Sequence, residues 1–192
     1  AYERVCKHMS SEYLQEIKAW SKHVLEKPLD YFNGLPPCPY AEKAWEDDRV
    51  DCVIKDTDNK QVLYTTVSQF PNHLDIILII DRKYELEAKK FHEYLDSMNV
   101  AISDGMFIDK DIWVMGFHPD DEASEYVDDN NFNALIEDKY AIIFVQRLTK
   151  LYESADKLKK RGYYKNYSKD YNINEIFKLR ETLYRRLKDG NA

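Results

Sequence analysis

The sequence predicts an α+β fold, a two-layer domain in which a small mixed sheet is flanked by helices and the C-terminal third is helical. Aliphatic runs of strand length, such as 74–80, alternate with segments whose apolar residues recur every three or four positions. The 192 residues include 44% hydrophobic ones but only 5 Gly and 6 Pro, and no internal repeat. We therefore expect a single domain over 1–192 with a sizeable core.

The first predicted elements are two helices separated by a rigid turn. Tyr13, Ile17, Trp20 and Val24 are spaced for a helix over 10–27, with Ser10 or Ser11 as its N-cap. The Pro-rich stretch 33–39 breaks the chain, and 41–47 resumes as a short helix whose first turn suits Pro39.

The middle of the chain alternates strands and helices. Val50–Lys55 is a predicted strand with a turn at 56–59, and 61–70 fits either a strand or a helix. The remaining predictions are strands over 74–80 and 112–116, a helix over 82–99, a polar loop over 128–131, a long helix over 140–160, a connector over 162–170 and a last helix over 173–187.

Charge is divided unevenly along the chain, whose net charge is −7. Residues 150–192 contain 12 Lys and Arg against 6 Asp and Glu, so the rest is strongly acidic. We expect a basic helical tail at about 160–192. The acidic body does not favour nucleic acid as a partner, and the Tyr- and Lys-rich tail is better explained as a solvated helix face.

Cysteine use and hydropathy indicate a reducing compartment. No apolar run reaches the roughly 18–20 residues of a membrane helix, and residues 1–10 do not form a signal peptide. Three cysteines without zinc-site spacing indicate free thiols. We therefore expect a cytoplasmic protein without a membrane partner. Abundant Tyr, Lys, Asp and Asn with scarce Gly would suit an AT-rich genome such as a phage's.

The segment 116–122, Gly-Phe-His-Pro-Asp-Asp-Glu, follows a predicted buried strand and contains one imidazole and three carboxylates. His118 and Asp120 could form an acid/base pair, and His118 with Asp121 could bind a divalent metal. Pro119 restricts His118 to extended geometry. The alternative is a strand-end histidine that caps the turn beside solvated acids.

Cys38 is a second candidate, at the start of the short helix. Backbone amides and the helix dipole would lower its pKa and make it a nucleophile. The Cys-Pro-Tyr sequence is similar to that of glutaredoxins, but Ala41 replaces their second cysteine, which excludes a dithiol mechanism. A small buried side chain in a rigid turn is the favoured alternative. No HExxH, CxxC, phosphate-binding Gly loop or Gly-x-Ser-x-Gly is present.

His-Pro-Asp-Asp-Glu resembles the zinc motif of the LmbE-like N-acetylglucosaminyl deacetylases. That resemblance implies His118 and Asp121 as zinc ligands and Asp120 as base. The family follows its motif with a Gly-Gly turn and a downstream histidine ligand. Here Ala123-Ser124 follows and no histidine comes after His118, so the likeness is confined to this segment.

A broader resemblance links the chain to an uncharacterised bacterial family of unknown function. That family has Leu-Cys-Pro-Phe-Ala, Phe-His-Pro, an Asp/Asn-rich stretch and Leu-Leu-Arg in order. The counterparts here are 37–41, 117–119, 128–133 and Val145-Gln146-Arg147. The resemblance implies that Cys38, His118 and Arg147 share one site. Its Asn-Arg-Ser-Pro run is reduced to Asn133-Ala134, and Phe144 replaces a histidine, which leaves retention of activity open.

Two functions follow as hypotheses. The first is a small cytoplasmic enzyme, or enzyme-derived domain, whose cleft of Cys38, His118, Asp120 and Arg147 acts on a small anionic ligand, with a divalent metal as an optional cofactor. Arg147 would hold the anion. The second is a non-catalytic, phage-encoded interaction protein whose acidic body or basic tail binds a host protein.

Overall fold

The computed structural model describes residues 2–56, 61–107, 110–122, 132–170 and 173–190. It confirms the α+β class, with a four-stranded mixed sheet flanked by helices and a helical C-terminal third. The predicted loop at 128–131 lies outside the described residues. Within the described ranges, no helix combines the length and apolar character needed to span a membrane.

The described ranges contain seven α-helices and four strands. The helices are α1 (Tyr2–Trp20), α2 (Ala41–Glu46), α3 (Val62–Ser68), α4 (Ala88–Ser103), α5 (Leu148–Lys160), α6 (Tyr164–Asp170) and α7 (Ile173–Asp189). The strands are β1 (Val50–Lys55), β2 (Ile76–Asp81), β3 (Trp113–Phe117) and β4 (Ala141–Gln146). A π-helical segment (Ser21–Leu25) continues α1, and a 3₁₀ turn covers Asp30–Phe32.

The sheet has the strand order β1-β2-β4-β3. β1 pairs with β2 in parallel, and β4 is antiparallel to both of its neighbours. The central register places Leu78 between Cys52 on β1 and Phe144 on β4. β1, β2 and β3 therefore run in one direction and β4 in the other, which determines the side chains that share an end of the sheet.

Both faces of the sheet are covered by amphipathic helices. On one face, Tyr13 and Ile17 of α1 pack on a cluster containing Cys52, Leu78, Ile80 and Ile142. On the other face, side chains of α3, α4 and α7 pack on Ile77, Ile79, Ile143 and Val145. β2 and β4 thus form the buried centre of the fold.

The single helix predicted over 140–160 is wrong in its first half. Residues 141–146 form β4, and α5 begins only at Leu148. Ala141, Ile142, Ile143 and Val145 are all buried, because the strand is covered on both sides. Such a strand shows no alternation of apolar and polar residues, so periodicity alone does not distinguish it from a buried helix.

The segment 61–70, which fits either a strand or a helix by sequence, follows the helical spacing. It forms α3, with Leu63, Thr66 and Val67 buried and Tyr64 exposed. An alternating strand would have placed Tyr64 and Thr66 on the same side.

Two predicted helix starts are wrong. α1 already begins at Tyr2, so Ser10 and Ser11 lie inside it and do not cap it. α4 begins at Ala88 and not at residue 82, which leaves Leu86 outside the helix and 40% exposed.

The basic C-terminal region is packed into the body. Leu183 of α7 is fully buried in the main core. Residues 164–170, predicted as a connector, form α6. Just before α6, Tyr163 stacks on Phe32 with ring centroids 4.7 Å apart, and Asn33 donates a hydrogen bond to the Arg161 carbonyl. Removing 160–192 would therefore expose core surface.

α4 lies directly on β3 because Gly116 has no side chain. A Cβ atom there would come within 2.3 Å of Leu95 Cδ1 and 2.5 Å of Phe91 Cε1.

Asn99 of α4 also holds this edge strand through two hydrogen bonds. Its Nδ2 donates to the Val114 carbonyl at 2.8 Å, and its Oδ1 accepts from the Val114 N–H at 3.1 Å. A buried amide thus takes the place of a neighbouring strand at Val114.

Asn99→Ala should destabilise the protein by about 1–3 kcal/mol, because both backbone groups of Val114 lose their partner in a buried setting. Urea denaturation followed by circular dichroism measures this loss. Ser97→Ala, which removes an exposed hydroxyl from the same helix, is the matched control and should change stability by less than about 0.5 kcal/mol. Equal stability of the two variants would contradict a clamping role for Asn99.

Candidate functional site

The strand directions separate the predicted site residues into two groups. Gln146 at the end of β4 pairs with Trp113 at the start of β3, so Arg147 lies beside the beginning of β3. His118 follows the far end of that strand. Five residues of extended chain separate the two ends by about 16 Å. The structure therefore does not bring His118 and Arg147 together as the family resemblance implied.

His118 is buried, with 1% of its surface exposed. Its Nε2 lies 2.9 Å from the Leu86 carbonyl, and its Nδ1 accepts the Asp120 N–H at 3.1 Å. This pattern assigns the proton to Nε2, because only a donor can face a carbonyl. Both ring nitrogens are thus engaged with backbone, which favours the turn-capping alternative.

The two aspartates of the segment also have partners. Asp121 Oδ2 accepts the His118 N–H at 2.7 Å, and its Oδ1 lies 2.8 Å from His92 Nε2. Asp120 is exposed and pairs with Lys139 at 2.9 Å, which lowers the pKa of the Asp120 carboxyl. Asp120 and His118 meet through a backbone N–H rather than through the carboxylate.

These contacts bear on the predicted metal ligands. The lone pair of His118 Nδ1 and both oxygens of Asp121 are occupied by hydrogen bonds. Among the described residues, no group of three or more His, Cys, Asp or Glu side chains is placed to hold a metal ion. The present donor geometry does not fit a cation without rearrangement, and metal binding at His118 and Asp121 stays a prediction.

His118→Ala should destabilise the protein by roughly 2–4 kcal/mol, because it removes two buried hydrogen bonds and leaves a cavity. The free energy of unfolding in urea measures the loss. His73→Ala, at an exposed position, is the control. A His118→Ala variant as stable as the control would instead indicate that this histidine serves function and not folding.

Cys38 lies at the turn before α2. Its N–H donates to the Leu25 carbonyl at 2.9 Å, and Tyr163 donates its hydroxyl hydrogen to the neighbouring Pro37 carbonyl. Burial raises the pKa of the Cys38 thiol; the backbone N–H groups of Tyr40 and Ala41 oppose that rise without cancelling it. This direction is opposite to the expected lowering, because burial outweighs the two backbone N–H groups. The thiol is protonated at neutral pH.

Arg147 begins the connection from β4 to α5. Its Nε and Nη2 donate to the carbonyls of Leu74 (3.2 Å) and Pro71 (2.6 Å). Its guanidinium carbon lies 4.2 Å from the centre of the Phe70 ring. Burial lowers the pKa of Arg147, but the guanidinium remains a cation at pH 7 because arginine is effectively always protonated in proteins. Arg147 thus fixes the loop that leads into β2.

Cys38 and Arg147 do share a cleft of about 340 Å³, which we name the cationic cleft. It opens where β1 and β2 begin and β4 ends, between α2 and α5. Its basic lining residues are Lys43, Arg49, Arg147, Lys150 and Lys157, and its acidic ones are Asp47, Asp75 and Glu153. The lining therefore carries a net positive charge in a chain of net charge −7.

Asp75 organises the cationic cleft. Its Oδ2 lies 2.9 Å from Arg49 Nε and its Oδ1 lies 2.5 Å from Lys150 Nζ. Burial alone would raise the pKa of Asp75, but the ion pairs with Arg49 and Lys150 outweigh burial and lower it. One carboxylate thus holds two cations in fixed positions.

A second concavity, of about 380 Å³, lies between β1 and α3. Val53, Val62, Leu74 and Ile77 give it a largely aliphatic lining, and Asp51 is its acidic residue. None of the residues predicted for the site lines it.

Sequence reasoning missed most of the cationic cleft. Arg49 and Asp75 directly precede the two parallel strands, and the register of Val50 with Ile76 makes them neighbours. Lys150 and Lys157 are seven residues apart on α5, two helical turns along one face. These two pairs can be recognised in the sequence only once it is known that β1 and β2 pair in parallel and that α5 starts at Leu148.

No family model, no curated protein and no solved structure matches this chain. The family resemblance of the short segments thus stays a prediction.

The ion pairs of Asp75 should make stability depend on pH. A folded-state pKa below the unfolded value of about 3.9 stabilises the protein above pH 4, and this stabilisation is lost as pH falls through the folded pKa. Asp75→Asn should therefore cost roughly 1–2 kcal/mol at pH 7 and progressively less below pH 4. Urea denaturation between pH 3 and 7 measures the difference. Exposed Asp96→Asn is the control, and a difference independent of pH would contradict the assignment.

Proposed function

We propose that this chain binds a small anionic ligand in the cationic cleft, as a small cytoplasmic enzyme or enzyme-derived domain. The observation that carries the proposal is a concavity lined by five basic and three acidic side chains, and so net positive, in a chain of net charge −7. Positive charge focused in a cleft attracts anions and raises their local concentration.

Arg147 supplies the fixed part of the anion site. Two of its nitrogens are held by backbone carbonyls, and Nη1 makes no hydrogen bond to any described residue. The guanidinium is therefore positioned before a ligand arrives, which reduces the entropy lost on binding. This supports the role predicted for Arg147, with Nη1 as the donor.

Arg49 and Lys150 supply a second fixed pair. Because one carboxylate, Asp75, holds two cations, the trio retains a positive charge. Lys157 is exposed on α5 and adds a mobile ammonium group that can follow the shape of a ligand.

Cys38 would contribute a neutral thiol to this site. A protonated thiol is a poor nucleophile, and His118, the predicted base, lies at the other end of the sheet. Cys38 would therefore contact the ligand without attacking it. His118 and Asp120 would act separately from this cleft.

Lys157→Gln should weaken binding of inorganic phosphate about three- to tenfold, because one charge contact is lost. The dissociation constant is obtained from phosphate titrations followed by ¹⁵N–¹H NMR, in which amides lining the cleft should shift. Lys89→Gln removes the same charge from an exposed site on α4, where Lys89 is 87% exposed. Equal affinities for the two variants, or shifts outside the cleft, would refute the proposal.

A further inference from the structure

The interior of the cationic cleft differs in chemistry from its rim. α2 contributes Ala41 and Ala44, which are buried and three residues apart, so both lie on one face of the helix. α5 contributes Leu151 and Ser154, which also share a face. The small side chains of Ala41, Ala44 and Ser154 line the space between the two helices, which we name the slot, whereas the three lysines of the lining are solvent-exposed.

Two further residues make the slot suited to a ring. Tyr40, at the start of α2, is 41% exposed and lines the cleft, so part of this residue is accessible to a ligand. Cys38 lines the same space. Thiol sulfur is polarisable and forms favourable contacts with aromatic edges, and aromatic rings pair in offset or edge-to-face geometry.

The volume limits the size of the occupant. About 340 Å³ is near the lower end of the roughly 300–1,000 Å³ found for small-molecule sites. One ring with a charged substituent fits such a space, whereas a dinucleotide does not. Exposed lysines and buried apolar side chains also fix the orientation, with the anionic group toward the solvent-exposed Lys150 and Lys157.

We infer that the ligand of the cationic cleft is a single-ring aromatic anion, whose ring enters the slot between α2 and α5 while its phosphate or carboxylate group contacts the basic rim. This inference rests on the proposed function and names its ligand class. It assigns Tyr40 and Ser154 as residues that determine specificity, and it separates the recognition of the ring from the recognition of charge.

The test compares three phosphates that carry the same charge group: inorganic phosphate, methyl phosphate and phenyl phosphate. Isothermal titration at pH 8 should show phenyl phosphate binding about tenfold more tightly than methyl phosphate. Tyr40→Ser should remove most of that advantage. Tyr64→Ser, at a tyrosine of equal exposure (41%) on α3, should retain it.

A second variant blocks the slot itself. Ser154→Leu should exclude the ring of phenyl phosphate and so remove its advantage over methyl phosphate. Equal affinities for methyl and phenyl phosphate in the unmodified protein would overturn the inference and leave the proposed anion site standing. Binding of none of the three phosphates would overturn both.

Discussion

The antiparallel pairing of β2 with β4 is the interaction on which the rest of the fold depends. The six paired positions from Ile76 to Asp81 are almost entirely aliphatic on both strands. Helices cover both faces of this ladder, with α1 on one side and α3, α4 and α7 on the other. Because the ladder is flanked by β1 and β3, its two ends are the places where polar side chains from several strands meet.

Opposite strand directions give those two ends different chemistry. Where β3 finishes, His118 and Asp121 are used to close a turn through backbone hydrogen bonds. Where β4 finishes, Arg147, Arg49 and Lys150 gather around a cleft, with Asp75 between the last two. Hydrogen bonding to backbone satisfies the first group internally, whereas the second retains net positive charge. This contrast favours the cationic cleft over the histidine segment as the candidate binding site.

The elements that could be predicted from the sequence are those with one solvent-exposed face and those that form an uninterrupted aliphatic segment. α2, β1 and β2 lie within two residues of their predicted ranges at each end, because charged residues or prolines bound them. β4 was missed because a strand buried on both faces loses its period. Cys38 and Arg147 were assigned to one site from the order of their motifs along the chain, but that order does not give the directions of the strands. His118 was grouped with them because a single sequence does not reveal that β4 runs against β3.

The amide of Asn99 has a consequence for how molecules of this protein meet. An exposed strand edge is a template on which a second chain can add, the first step in many aggregates. At Val114 the hydrogen-bonding groups of β3 are already taken by that side chain. An incoming strand would have to displace a buried amide before it gained its first pair of bonds. The β3 edge of the sheet is therefore blocked at Val114 against the addition of a strand.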